Sequence, residues 1–169
     1  MYNFIEYSEQ NLKTATSYIS TDLLKSINTN NVMINYTDIS TFTDTELQLH
    51  LINATQILDN LMSFKGSKQN VEQRLEFPRD FEEDFIIADD IKLATAYISA
   101  KIGNGQLSDI IVEESGIQVK KEKADVLEKE YFEAISSKTA VFATNPYLEN
   151  LLYDFISGNG SLFITTNKG

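Results

Sequence analysis

The sequence predicts a mainly α fold: a helical bundle with a small β-hairpin and an extended C-terminal arm. Three observations predict it. Apolar residues recur at helical spacing over 44–63 and 89–102, the first stretch opened by a capping box and the second followed by a glycine. Residues 117–132 alternate in the two-residue period of a strand pair. Beyond Gly158-Asn159-Gly160, a short β-prone tail carries adjacent apolar residues with few local neighbours to bury them. A chain of 169 residues suits one domain. The expected layout is a helical domain over 1–158, with the hairpin at about 117–132, and an arm over 159–169.

In chain order, Ser8 is a candidate cap for a helix to about Ser20, with Leu12, Ala15, Tyr18 and Ile19 on one face. Thr21 would cap a further turn carrying Leu23, Leu24 and Ile27. Asn28-Thr-Asn-Asn31 then reads as a turn or loop. Val32 to Thr41 has strand-type residues and weak alternation but no evident partner.

Thr43-Asp44-Thr45-Glu46 is a capping box, a hydroxyl followed by Glu at the third helical position. Leu47, Leu51, Ala54, Leu58 and Leu61 follow at spacings of three and four, which places a helix over Asp44 to about Ser63. Its polar residues, Gln48, Asn53, Gln56 and Asp59, need only solvent. Phe64 to Asp84 breaks the pattern with Gly66-Ser67 and Pro78, and holds both arginines, Arg74 and Arg79. Val71 to Leu75 suits at most a helical turn.

Ile91, Ala94, Ile98 and Ile102 give the second strong helix, Asp89 to Ile102, with Gly103 as its stop. Leu107 to Glu114 stays open between helix and strand. In 117–132, Ile117, Val119, Lys121 and Lys123 alternate with Gln118, Lys120 and Glu122, and Ala124-Asp125 would form the turn. A helix over Lys120 to Phe132 is the rival, given its many Lys and Glu residues. Asn145-Pro146 pairs a capping residue with proline at the first helical position, followed by the apolar face Leu148, Leu151, Leu152, Phe155 and Ile156, with Gly158 ending it.

Composition excludes several function classes. The chain has 14 Lys+Arg against 25 Asp+Glu, a net charge of -11, which argues against a general phosphate-binding surface. Cysteine is absent, so disulfides, thiolate nucleophiles and cysteine metal sites are impossible. The single histidine, His50, rules out sites that need two imidazoles. No apolar run reaches the ~18 residues of a membrane span, and the N-terminus lacks the basic and apolar regions of a signal peptide. The expectation is a soluble intracellular or particle-bound protein, not an enzyme, with no cofactor.

Candidate sites weigh mostly toward plain structure. Seven carboxylates from Glu76 to Asp90 lack calcium-loop spacing and any glycine, and read as a solvated acidic face. Gly66-Ser67-Lys68 lacks the full phosphate-loop pattern, and Gly103-x-Gly105 is two glycines at a helix end. His50 has no partner motif and sits at the boundary of its apolar stripe. Lys120, Lys121 and Lys123 form a small basic cluster with Glu122, Glu128 and Glu130 close by to neutralise it. The tail, with Leu162, Phe163, Ile164 and Thr165, is either a frayed terminus or an arm that joins a partner's sheet edge or groove.

Four pieces in order carry a resemblance. The first is Ala54-Thr55 to Asp59 in a helix with Phe64-Lys-Gly66 and Phe77-Pro78-Arg79 after it; then come an alanine-containing helix at about Asp89 to Ile102, Val119-Lys-Lys-Glu-Lys123, and Pro146 to Leu152. This pattern resembles tailed-phage head–tail adaptor proteins, often labelled DnaT-like single-stranded-DNA-binding proteins, with Phe77 standing where the family has Trp. The resemblance covers roughly Leu47 to Gly158. It implies a structural virion protein at the head–tail junction, made in the host cytoplasm, with no membrane partner. Such proteins form a ring, commonly dodecameric, beneath the portal protein and above a tail or tail-hub protein, and DNA passes through the channel without specific binding. The C-terminal arm would dock on the portal. A negative subunit suits a channel that must release DNA. The alternative is single-stranded-DNA binding, which would need Lys120, Lys121, Lys123 and Lys129, with Tyr131 and Phe132 for stacking, to share one face.

Overall fold

The computed structural model describes residues 3–61, 63–113, 140–143, 145–157 and 163–164. Among them are four helices: α1 (Thr21–Asn30), α2 (Asp44–Leu61), α3 (Asp89–Gly103) and α4 (Pro146–Leu152). Three short strands follow, β1 (Ile111–Glu113), β2 (Ala140–Ala143) and β3 (Phe163–Ile164), and single 3-10 turns lie at Glu9–Asn11, Ile39–Thr41 and Leu107–Asp109. The sheet order is β1-β2-β3, with β1 antiparallel and β3 parallel to β2. The mainly α expectation holds.

The helix pair α2 and α3 is the centre of the molecule; α4 packs on α3, and α1 touches both. α3 is buried nearly all round, from Ile91 through Ala94, Thr95, Ala96, Tyr97, Ile98, Ser99 and Ala100 to Ile102. Small residues at Ala94, Ala96, Ser99 and Ala100 let neighbouring segments approach, and burial on every side marks it as the core helix. Asp89 and Asp90 in its first turn and Lys101 in its last complement the helix dipole. α2 contributes Leu47, Leu51, Ala54, Ile57 and Leu58, all fully buried. The capping box forms as expected: the Thr43 amide donates to Glu46 Oε2 at 2.7 Å, and the Glu46 amide donates to Thr43 Oγ1 at 3.3 Å. Asn145 caps α4, its Oδ1 accepting from the Leu148 amide at 3.0 Å.

Several expectations are corrected. The helix from Ser8 to Ser20 does not form. Asn11 Oδ1 accepts from the Ser8 amide at 2.7 Å, and Thr16 Oγ1 accepts from the Ile5 amide at 2.9 Å. The Tyr7 amide donates to the Ser17 carbonyl at 2.8 Å. Short polar side chains here offer the backbone closer partners than a helix does, and the segment folds back on residues 5–7. Ala15, Tyr18 and Ile19 are nevertheless buried, as the stripe required. α1 begins under a Ser20 cap, one residue ahead of the expected Thr21, and runs on to Asn30 through the expected Asn28–Asn31 loop.

Residues 32–38 form no strand. They are held by asparagine side chains: Asn28 Oδ1 accepts from the Tyr36 amide (2.7 Å) and Asn104 Oδ1 from the Thr37 amide (2.8 Å). Gly103 is not the stop of α3 but its last residue. A Cβ there would lie 2.2 Å from the Tyr36 ring, so the glycine admits that ring to the core. The stop is Gly105 at φ +65°, with its amide on the Ile102 carbonyl (3.0 Å) and the Gln106 amide on that of Lys101 (2.8 Å), a Schellman ending. α4 ends at Leu152, earlier than its apolar face suggested, and Ile156 instead pairs with Phe64 in an isolated bridge. Of the open segment 107–114, residues 107–113 resolve into a 3-10 turn and β1, and residue 114 lies outside the described residues. The expected hairpin at 117–132 lies outside the described residues. Of the expected arm, Phe163–Ile164 forms β3 against β2, while Leu162 and Thr165 lie outside the described residues.

Candidate functional site

The motif residues converge on one place, the loop between α2 and α3. Residues 64–69 and 78–80 run side by side: the Gln69 amide donates to the Pro78 carbonyl (3.1 Å) and the Asp80 amide to that of Ser67 (2.9 Å). Arg79 closes the loop. Its Nε donates to the Lys65 carbonyl at 2.9 Å, and Nη2 donates to the carbonyls of Phe64 and Gly66, both at 3.0 Å. Nη1 donates to Glu76 Oε2 at 2.9 Å. The side chain is 7% exposed and also lies over the Phe64 ring, 5.9 Å from its centre. A planar guanidinium meets several carbonyls at once, which a lysine ammonium on a flexible stem does not. Gly66, at φ +67°, brings the backbone to the clamp, and a Cβ there would meet Asp80 Oδ1 at 2.2 Å.

Phe77 is the apolar centre of the same loop. It is fully buried, packs edge-on against Phe64 (4.6 Å between ring centres), Phe155 (5.6 Å) and Tyr18 (6.0 Å), and precedes Pro78 through a cis peptide bond. Ala54 and Thr55 are fully buried on α2, and the Thr55 hydroxyl has no hydrogen-bond partner among the described residues.

Asp59 is the second tie. Solvation was the expectation for it, and the structure corrects that. Its Oδ1 accepts from the Tyr18 hydroxyl at 2.5 Å and its Oδ2 from the Glu76 amide at 3.2 Å. The Phe77 amide donates to the same Tyr18 oxygen at 3.2 Å. Burial pushes the Asp59 carboxyl up to about 7, against the lowering effect of these donors, and burial with the Asp59 charge raises Tyr18 well above the usual phenol range. Thus α2, the N-terminal segment and the 64–80 loop are joined through one polar cluster. Lys68 completes it, 3.2 Å from Glu76 Oε1.

The expected solvated acidic face is therefore only partly solvated. Glu76 pairs with Arg79 and Lys68, and Glu82 Oε2 accepts from the Arg79 amide at 2.6 Å. Sequence reasoning singled out Asp59, Phe64, Gly66, Phe77, Pro78 and Arg79 but missed Tyr18, Glu76, Lys68 and Gln73. Gln73 is buried and donates from Nε2 to the carbonyls of Leu75 and Pro78, both at 3.0 Å. The spacing of Glu76 and Arg79 was a readable signal; the Tyr18 contact, from 41 residues away, was not.

Beside the clamp is an open groove of about 390 Å³. Phe81, Ile86, Ala88 and Phe155 make its apolar wall, and Glu82, Glu83 and Asp154 its acidic rim. Phe81 and Ile86 are each 51% exposed. Phe85, just ahead of exposed Ile86 and buried Ile87, sits at φ +58°, a left-handed conformation costly for a bulky side chain. Among the described residues Glu82 Oε1 is buried without a side-chain hydrogen-bond partner, while the Ala88 amide favours its charge.

His50 lies at the boundary, as expected, stacked on Tyr36 with Nδ1 3.3 Å from the Tyr36 hydroxyl, which meets Ser99 Oγ at 2.7 Å. Burial lowers its pKa. Among the described residues no group of three or more His, Asp or Glu side chains is placed to hold a metal ion, and no helix is long and apolar enough to cross a membrane.

These features define a small, mainly helical domain whose motif residues tie its own loop together and leave an acidic-rimmed groove outside. Residues 4–167 match the family described as "Putative DnaT-like ssDNA binding protein", and the chain belongs to that family. No curated protein and no solved structure matches it.

Proposed function

We propose that the protein is a structural subunit of a tailed-phage head–tail adaptor, a ring beneath the portal that joins capsid to tail and surrounds the DNA exit channel. In this reading it performs no turnover and needs no cofactor. It is made in the host cytoplasm and resides at the head–tail junction, with a tail or tail-hub protein below. The observation that carries the reading is the character of the surface. A chain of net charge -11 presents Phe81 and Ile86, each half exposed, together along one groove, a feature of protein contact rather than of phosphate contact. Lys13, Lys25, Lys68, Arg79 and Lys92 are each ion-paired within the chain. The test is to mix the protein with the portal protein of the same genome and weigh the complex by native mass spectrometry. A fixed multiple of the subunit mass added to the portal ring supports the reading, and no addition sinks it.

Single-stranded-DNA binding is the second reading, favoured by the family match. It draws on Lys120, Lys121, Lys123 and Lys129 with Tyr131 and Phe132, all outside the described residues. Oligonucleotide affinity that falls steeply with salt would establish it.

A further inference from the structure

We propose that Asn104-Gly105 is a self-modification site, an asparagine open to deamidation by the amide of the next residue and held back by hydrogen bonds of the folded chain. The inference goes beyond the adaptor reading and does not depend on it. Asn-Gly is the pairing in which this chemistry is easiest, because glycine has no side chain to obstruct the approach of its amide. The pair occurs at 104–105 and at 159–160, the second outside the described residues. In the reaction the Gly105 nitrogen attacks Asn104 Cγ and gives up its proton to solvent, and the side-chain nitrogen leaves as ammonia. Water then opens the resulting cyclic imide at either carbonyl, leaving aspartate or isoaspartate. Water is the only co-reactant.

Every group the reaction needs is engaged in the fold. Asn104 follows the last residue of α3 and is half-buried. Its Oδ1 accepts from the Thr37 amide at 2.8 Å, and its Nδ2 donates to the Asn35 carbonyl at 2.8 Å. The attacking nitrogen is also occupied, because the Gly105 amide donates to the Ile102 carbonyl at 3.0 Å. Bringing that nitrogen to Cγ means breaking these bonds. Crowding plays no part: Gly105 is exposed, and a Cβ on it would meet nothing within 4 Å. Hydrogen bonding is therefore the restraint, and local opening is the route to reaction.

The product loses what the lock uses. A carboxylate can still accept from the Thr37 amide but offers no hydrogen to the Asn35 carbonyl, which leaves two acceptors facing each other. Its charge also sits at the C-terminal end of α3, where the helix dipole disfavours an anion. Both effects weaken the hold on residues 35–37, and with it the seat of the Tyr36 ring over Gly103.

The experiment incubates the full chain in mildly alkaline buffer, with and without denaturing urea, and follows the tryptic peptide Ile102 to Lys120 by mass spectrometry. Asn104 is the only asparagine in that peptide, so its deamidation reads out directly. The folded wild type is expected to deamidate about tenfold or more slowly than the chain in urea. Asn28→Ala removes the acceptor of the Tyr36 amide, 2.7 Å away, without touching Asn104 or Gly105, and should speed the reaction in buffer. Its helical circular-dichroism signal separates loosening from unfolding, and if it unfolds the wild-type comparison decides alone. Asn104→Asp, which mimics one product, should lower the urea midpoint at unchanged slope. Equal rates in buffer and urea, no reaction in urea, or a folded Asn28→Ala that reacts like wild type would each overturn the proposal.

Discussion

Asp59 and Arg79 are the residues on which the 64–80 loop depends. Asp59 has a folded-state pKa near 7, against an ordinary value of 3.8. The folded chain therefore binds the proton more tightly than the unfolded chain. The stability this contributes is complete below about pH 4, declines as pH rises from about 4 to 7, and is gone above that. His50, with a lowered pKa, slopes the other way, so the variant must be compared with wild type rather than read alone. Asp59→Asn should remove Asp59's share, on the order of 3 kcal/mol between pH 4 and 8, from the pH dependence of urea unfolding. A wild-type and variant difference that stays constant across that range would refute the assignment.

Arg79→Lys should cost about 3 kcal/mol in the same assay. One ammonium cannot replace a fork that serves the carbonyls of Phe64, Lys65 and Gly66 together with Glu76. A loss below about 1 kcal/mol would mean the clamp is not what holds the loop.

Among the elements, α2 and α3 show how local signals and tertiary contacts divide the work. The Thr43 and Glu46 bonds at the start of α2 are sequence-local, and Thr43→Ala should destabilise by about 1 kcal/mol, seen as a lower urea midpoint at unchanged slope. α3 supplies a contrary case. Replacing a helical glycine with alanine ordinarily stabilises by up to ~1 kcal/mol. At Gly103 the added methyl meets the Tyr36 ring at 2.2 Å, so Gly103→Ala should instead destabilise, by about 1–3 kcal/mol. A stabilised variant would show that the Tyr36 ring moves aside at little cost. The same two helices mark what was legible in sequence. α2 and the Asn145 start of α4 were readable from their caps, and α3 from its apolar stripe, because these signals lie within a few positions. The Ser8 to Ser20 segment was misread because its stripe is real while its backbone partners lie at residues 3–7, outside any local window.

For the whole molecule, the described surface combines net acid with exposed apolar residues, the combination that supports the proposed adaptor reading. Truncation after Gly158 removes β3, two residues at the edge of a three-stranded sheet, and leaves α1 to α4 in place. The expected outcome is an unchanged helical circular-dichroism signal with loss of portal docking. A truncated protein that still docks would take the arm out of the mechanism.

The sequence by itself determined the mainly helical class, the positions of α2, α3 and the start of α4, and the apolar stripes of α2 and α3 that enter the core, because spacing and capping act over one or two turns. Only the tertiary structure decided that Asp59 is a half-buried tie to Tyr18, that Arg79 spends its charge on its own loop, and that Phe81 and Ile86 border a groove. Those facts depend on partners many residues away. A carboxylate reads the same in sequence whether it faces water or a buried hydroxyl; the chain path that brings Tyr18 to Asp59 settles which.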